Sequence, residues 1–492
     1  MLPVKISAEE FSVTGIAPTA DYIAHYAALR PNDLAVIDEG RNITFAQFHA
    51  DVRRFGHFLK NAGVKPGQTA AIEWTSLYEH WLLVLALEAL GVATFSYTKQ
   101  EVPAYWPFLK TVDLIACSKE AIPKDCGPVL LLAEDQLAKI FALVLEAEES
   151  HRLLAPETPV RIQCTSGTTG AAKRMVRIAR VNEFRVQQYQ NKEGYTRHSR
   201  YFLTHPFSVQ AIYGRATACI RMGGTCISAA GDPFQTISDY GVTHLSVLPT
   251  VLAKMVAARP ALFAKPESLT VSTFGARVPD GLRGRLLQGI ATELIESYGT
   301  NEVGSICTIG PDGAGVVVPG VTVEIVDEND NSLIGQAGQV RVKSPGAVSG
   351  YADDPDATTR MFRNGWFYPD DRGIMPDARR LTLLGRTDDL VNIGGIKIDC
   401  QVLEEQLRRT VPAQDLCVTT LAKPDGTDQL CVAFVLDPAA KLEEMKAQIA
   451  PVLPPNLGEI RLLMLDKIPR TEAGKVQRDA LHGLIETRHA GA

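Results

Sequence analysis

The residues most apt for chemistry lie in the stretch QCTSGTTGAAKRM, 163–175. Seven consecutive small or hydroxylated residues, 165–171, run toward a lysine, and so polar a segment cannot be the buried face of a helix or strand. Gly167 and Gly170 let the backbone turn with its N–H groups exposed. Thr165, Ser166, Thr168 and Thr169 add hydroxyls, and Lys173 adds a positive charge. Together they form a concave donor array suited to a polyphosphate. A solvated Ser/Thr/Gly linker is the competing reading; the apparent strand at 160–162 leading in, and the lysine at the far end, favour phosphate. The pattern G-x-x-x-x-G-K-(S/T) cannot be written through the loop, so it is not a Walker A site.

Such a loop needs rigid elements to aim it. Short β-rich runs alternate with helical patterns: 69–74 (TAAIEW) reads as a strand, 82–90 as a helix, 92–97 as a strand, and 244–248 followed by 250–258 repeats the strand and helix order. This alternation predicts α/β layers with largely parallel strands. From 316 the texture changes, since VVVPGVTVEIVDENDNSLIGQAGQVRVKS alternates apolar and polar residues around an NDN turn. That pattern predicts a small antiparallel β-subdomain. Beyond about 386 a smaller α+β unit is expected, with a hairpin across PDGTD in 417–437 and an amphipathic helix in 441–453.

Composition limits the partners. The 492 residues, 46% of them hydrophobic, suffice for several cores. Fifty Lys and Arg against 56 Asp and Glu leave a net charge of -6, which offers no bulk attraction to nucleic acid or to an anionic membrane. The nine cysteines are scattered and never form a CxxC pair, so a reducing cytoplasm is expected. The N-terminus lacks the basic and apolar regions of a signal peptide. The longest apolar segment, 81–95, is interrupted by Glu88 and falls short of the ~20 residues of a membrane span; it reads as a buried helix running into a strand.

Five segments in order carry a family resemblance. TSGTTGAAK resembles the phosphate loop (S/T)-S-G-(S/T)-T-G-x-P-K-G of the acyl-adenylate-forming superfamily, which includes acyl-CoA synthetases, peptide-synthetase adenylation domains and luciferases. ESYGTNEVG (296–304) resembles its Y-G-x-T-E motif, and GWFYPDDRG (365–373) resembles G-W-F-x-T-G-D-x-G. LLGRTDDLVNIGGIKID (383–399) is similar to the hinge motif, IPRTEAGKVQRDAL (468–481) to the P-(K/R)-T-x-x-G-K motif, and ITFAQF (43–48) to the N-terminal pattern.

The resemblance implies a large N-terminal domain, 1–386, that binds ATP and acid, and a mobile C-terminal domain, 387–492. The reaction implied converts a carboxylic acid and ATP to acyl-AMP and pyrophosphate, then passes the acyl group to a thiol. Lys475 would bridge the carboxylate and the α-phosphate, stabilising the pentavalent transition state. Glu302, with Thr169, would hold Mg2+ on the phosphates. Asp371 would accept from the ribose hydroxyls, Arg386 would reach ribose or phosphate, and Tyr298 would lie against adenine. Gly275, Ala276, Gly299 and Asn301 complete the implied nucleotide site. Asp388 falls at the hinge position, and Gly394 and Gly395 fall on the side from which the thiol approaches.

Several positions depart from the pattern. Ala172 and Arg174 replace the proline and glycine flanking Lys173, Asn301 replaces threonine, Pro369 and Asp370 replace T-G, and Cys400 and Val402 replace a proline and a glutamate. The acid pocket is expected from 205–214 (HPFSVQAIYG), 273–277 (TFGAR) and the glycine of YGTNE, with His205, Phe207, Tyr213, Phe274, Arg277 and Thr300 as candidates. Phe274 stands where related chains carry glycine, so a shortened pocket and an aryl or short acyl group are favoured. CoA is the expected acceptor. A carrier-protein phosphopantetheine acting in trans, a luciferase-type oxygenase and a non-catalytic adenylate-binding protein are the alternatives.

Overall fold

The computed structural model describes residues 15–73, 76–117, 127–145, 153–165, 173–386, 390–393, 396–422, 428–437, 441–453, 460–470 and 476–489. The chain is mixed α/β, with a large N-terminal assembly built on two sheets and a smaller C-terminal one.

The first sheet has six strands, ordered Val129–Leu131, Leu114–Cys117, Thr69–Ile72, Ala93–Ser96, Pro159–Thr165 and Lys173–Ile178. All pairs are parallel except the last, an antiparallel hairpin. The helix Leu77–Ala89 packs below it and is buried on nearly every side, including Glu88. It begins five residues before the expected start, because Ser76 caps it by accepting from the Glu79 N–H at 3.4 Å, a signal outside the apolar run.

The second sheet is far larger. Parallel strands Leu34–Asp38, Thr225–Ser228, Arg200–Phe202, His244–Val247, Thr270–Phe274 and Glu293–Thr300 form one half. The first five are buried along most of both faces, as parallel strands require, while Glu293–Thr300 is buried only at Ile295 and Glu296. The strands expected as a separate antiparallel subdomain continue the same ladder. Gly304–Ile309 pairs with Glu293–Thr300, Gly315–Val317 follows, and Arg380–Arg386 then joins Asp371–Asp377 and the outer strands. The NDN turn forms as read, with Asp327 Oδ1 accepting from the N–H groups of Asn329 and Asn331 at 2.8 and 2.9 Å.

After 386 the described strands join neither sheet. Leu390–Ile393 pairs with Ile396–Asp399, and Ala413–Ala422, Asp428–Leu436 and Arg461–Met464 form a three-stranded sheet. Helices Cys400–Thr410 and Leu442–Ile449 close a core around Leu407, Leu416 and Met445. The hairpin and the amphipathic helix expected here are both present. Among the described residues no helix is long and apolar enough to cross a membrane, and the described cysteines are free thiols.

Candidate active site

Thr165 and Lys173, the residues on either side of the segment 166–172, are Cα partners on two antiparallel strands. Ser166, Gly167, Thr168, Thr169, Gly170 and Ala172 lie outside the described residues. On the exit strand, Lys173 Nζ is 3.4 Å from Asp354 and stands over the Tyr351 ring at 5.1 Å. Arg174, where related chains carry glycine, donates to Asp353 at 2.5 Å and lies on the Phe108 ring at 4.8 Å, while its carbonyl accepts from the Ala352 N–H at 2.7 Å. The unusual exit from the loop is thus tethered to the 351–354 turn.

Glu302 approaches the same turn from the other side. Its Oε1 accepts from the Tyr351 hydroxyl at 2.9 Å, so one tyrosine touches both Glu302 and Lys173. Burial, reinforced by the Glu302 charge, pushes the Tyr351 phenol up and keeps it a donor. The main chain beside Glu302 is held by buried Arg185, which donates to the carbonyls of Gly346 at 2.8 Å, Asn301 at 3.0 Å and Glu302 at 2.9 Å. Asn301 Oδ1 accepts from Gln163 at 3.4 Å, linking this turn to the strand that enters the polar loop. Gly299 is required by close approach, because a Cβ there would lie 2.4 Å from the Gly304 carbonyl oxygen. Beside it Thr300 Oγ1 is buried with no hydrogen-bond partner among the described residues.

Tyr298 and Asp371 meet directly, the phenol donating to Asp371 Oδ2. Asp371 and Arg386 are Cα partners on neighbouring strands, which brings together the two residues assigned to ribose. Asp370 takes φ +59°, the left-handed conformation that glycine adopts without cost and that aspartate tolerates better than most residues. The substitution in the PDD segment therefore preserves the backbone turn ahead of Asp371.

The segments expected to bind the acid form a gradient of burial. Phe207 and Tyr213 are core residues: Phe207 is 0% exposed and packs edge-on against Trp81 and Tyr213, with centroids 5.4 Å away in each case. Arg161 stacks on Tyr213 at 4.1 Å, and burial pushes the Tyr213 phenol up to about 12. His205 is half-buried, its Nδ1 within 2.8 Å of Thr204 Oγ1, and burial lowers its imidazole. Phe274 is partly exposed, while Gly275, Ala276 and Arg277 are exposed. Gly275 takes φ +87°.

Arg386 contributes its backbone to the strand ladder, and its side chain lies outside the described residues, as do Asp388, Gly394, Gly395 and Lys475. The frames around the last three are defined. Gly394 and Gly395 connect the paired residues Ile393 and Ile396. Arg470 and Val476 form an antiparallel bridge around the segment containing Lys475. Arg470 is itself anchored on Asp415 by two bonds of 2.8 and 2.7 Å.

Sequence reading missed Tyr351, Arg185 and Gln163. Tyr351 falls outside the motifs. Arg161 and Gln163 alternate within the strand PVRIQCT and Arg177 lies on its hairpin partner, and a cation in a buried strand is a signal available from sequence alone. Their bonds run to neutral acceptors: Arg161 to Thr94 at 2.9 Å, and Arg177 to Asn182 at 3.1 Å and Gln210 at 3.0 Å.

A profile of the AMP-binding enzyme family matches residues 23–352, more than half of the chain, and the chain belongs to that family. The motif resemblance is thereby borne out. The chain is 24% identical over 506 residues to the fatty acid–acyl-carrier-protein ligase ScoC of Streptomyces coeruleorubidus, spanning 93% of this chain and 94% of that protein. It is also 24% identical over 497 residues to a 4-chlorobenzoate–CoA ligase of Arthrobacter sp., spanning 94% of each. Its fold is similar to that of the o-succinylbenzoate CoA synthetase MenE of Bacillus subtilis in complex with ATP and magnesium ion, with a TM-score of 0.81 and 21% identity over 94% of this chain and 98% of that one.

Proposed function

We propose that the protein is an ATP-dependent acid:thiol ligase that activates a carboxylic acid as acyl-AMP and transfers it to CoA. The observation that carries this reading is the shared contact of Lys173 and Glu302 with Tyr351, which gathers a cation from the phosphate-loop hairpin and a carboxylate from the YGTNE turn. In the first step the acid carboxylate attacks the α-phosphorus, forming a C–O–P anhydride and releasing pyrophosphate. In the second a thiolate attacks the acyl carbon, releasing AMP and leaving a thioester.

Loop 165–170 and Lys173 cradle the β- and γ-phosphates in this reading. Tyr298 lies against adenine, with Gly275, Ala276, Gly299 and Asn301 around the nucleotide. Asp371 and Arg386 take the ribose, and the unpartnered Thr300 hydroxyl faces acid or adenylate. Glu302 and Thr169 would hold Mg2+, which supplies neutralisation of phosphate charge when bound. Among the described residues no group of three or more His, Cys, Asp or Glu gathers as a ready-made metal cage. A single carboxylate completed by substrate phosphates is the mode that suits Mg2+. Lys475 neutralises the meeting anions, residues 387–492 rotate about Asp388, and the Gly394–Gly395 loop then admits pantetheine.

ATP–pyrophosphate exchange with a panel of carboxylic acids tests the first step. Thioester formation with CoA, set against a phosphopantetheinylated carrier protein, tests the second. Exchange without thioester on CoA but with thioester on the carrier would replace the acceptor; absence of exchange with every acid would overturn the ligase reading.

A further inference from the structure

At the back of the strand that ends in Thr300 lies a cation unrelated to the phosphates. Lys192, near the end of the helix Ala179–Glu193, directs Nζ to Ser297 Oγ at 2.9 Å and Ser305 Oγ at 3.3 Å. Its side chain is 8% exposed, and Nζ stands over the Tyr189 ring at 5.1 Å. The nearest carboxylate, Glu193, is 3.9 Å away and already engaged. Its Oε1 accepts from Arg215 Nε at 2.7 Å in a pair whose side chains are each 1% exposed, and its Oε2 accepts from Ser272. Two cations thus share one carboxylate, and one positive charge lacks a counterion among these groups. A buried charge in that state is costly unless something anionic meets it.

The surroundings connect this charge to the acid pocket. Ser297 is the Cα partner of Phe274, and Gly299 is the partner of Ser305, so both hydroxyls that hold Lys192 sit beside residues already assigned to the pocket. Ser297, Phe274 and Thr300 are partly exposed, and Gly299 is exposed, whereas Ile295 and Glu296 immediately before them are buried. On the face that Ser297 shares with Gly299, exposure thus falls from Gly299 to Ser297, whose hydroxyl accepts from Lys192. Phe274, with Arg215 at 5.3 Å from its ring centroid, borders Ser297 from the neighbouring strand.

Resting on the ligase reading, we infer that Lys192, with Ser297 and Ser305, forms a subsite for a second carboxylate, so that the acid activated is a short aliphatic or benzene dicarboxylic acid. Ser297 and Gly299 lie two residues apart on the same face of the strand, a rise of roughly 7 Å at ~3.3 Å per residue. That span accommodates two carboxylates separated by a chain the length of glutarate or adipate, or by a benzene ring. The distal carboxylate accepts from Lys192 and the two serines while the proximal one faces the α-phosphate. Lys192 is a specificity residue in this scheme and takes no part in bond making.

The test compares acids of matched length by ATP–pyrophosphate exchange: adipate against hexanoate, and terephthalate against 4-methylbenzoate. The intact chain is expected to favour the diacid at least ten-fold in kcat/KM. Lys192→Met should reduce that ratio at least ten-fold, chiefly through KM, and Lys192→Arg should restore part of it. Equal use of diacid and monoacid by the intact chain, or an unchanged ratio in Lys192→Met, overturns the subsite. A preference for 4-hydroxybenzoate over both benzoates also overturns it, in favour of a neutral distal group. Calorimetric titration of adipate in the presence of AMP separates the two readings. If no acid supports exchange, the ligase reading fails, yet adipate binding that is lost in Lys192→Met still supports the subsite. Absence of adipate binding to the intact chain overturns it.

Discussion

Arg185 donates from Nη2 to the carbonyl oxygen of Glu302 at 2.9 Å, and the same guanidinium holds the carbonyls of Asn301 and Gly346. The main chain that aims the Glu302 carboxylate is therefore pinned by a buried side chain from a different element. Arg185→Lys keeps the charge but cannot reproduce the fork. It should cost about 2–3 kcal/mol of stability through unpaired carbonyls, and roughly 10- to 100-fold in adenylation, read by urea unfolding and by pyrophosphate exchange. Full exchange activity in a destabilised variant would show that the fork serves stability alone.

Tyr351 bridges Glu302 and Lys173, so Tyr351→Phe removes one bond to a carboxylate while keeping the ring beneath the lysine. The loss should be about 1–2 kcal/mol, seen as a higher Mg2+ and ATP requirement with kcat altered less. A drop in kcat at unchanged KM for ATP would contradict the positioning role.

The two half-reactions should separate by mutation. Lys475→Ala is expected to lose adenylation by roughly 10^2- to 10^3-fold, about 2–4 kcal/mol of transition-state stabilisation, while still using synthetic acyl-adenylate. Asp388→Pro, with φ fixed near ~-65°, should adenylate and fail in thioester formation. Single-turnover pyrophosphate release beside thioester formation from preformed adenylate distinguishes them; a normal adenylation rate in Lys475→Ala would sink the assignment.

Burial and the neighbouring Arg215 charge lower the Lys192 ammonium to about 7. Tyr189 and Glu193 face it from its own helix, Arg215 from the next helix, and Cys307 from the strand beyond. Unfolding returns Lys192 to the ordinary lysine value of 10.5, so between about 7 and 10.5 the unfolded chain binds more protons and this group adds stability as pH rises. Below about 7 it is charged in both states and its destabilising effect is constant. Lys192→Met should therefore melt higher than the intact chain at pH 6, with the gap narrowing toward pH 9. A gap independent of pH would mean that Lys192 is not the titrating group.

Phe207→Ala should cost about 3–5 kcal/mol, the range for removing a large aromatic side chain from a core. Calorimetric unfolding measures this; a near-neutral change would return Phe207 to the wall of an open pocket.

Much of this arrangement was legible in the sequence because motif residues keep their types where backbone geometry demands them. Gly299 cannot carry a Cβ, and Asp371 lies opposite Arg386 on paired strands. Supporting residues were harder to read. Tyr351 reaches Glu302 across 49 positions, and Arg185 does so across 117. No local periodicity encodes a contact of that separation. The antiparallel run after 316 was read correctly as strands, but its junction with the parallel sheet rests on the short pairing of Gly315 and Val316 with Leu381 and Arg380. Such a brief ladder leaves no hydrophobic pattern of its own.

The large sheet ends at Arg386, and the described strands that follow hydrogen-bond only among themselves, over cores centred on Leu407 and Met445 and on Leu481 and Ile485. A crossover made within 387–389 would sever no strand pairing among the described residues. Residues beyond that seam can therefore be traded as a cassette, bringing their own interior with them. We propose that acceptor preference and acid preference would then be inherited separately, each from a different parent chain.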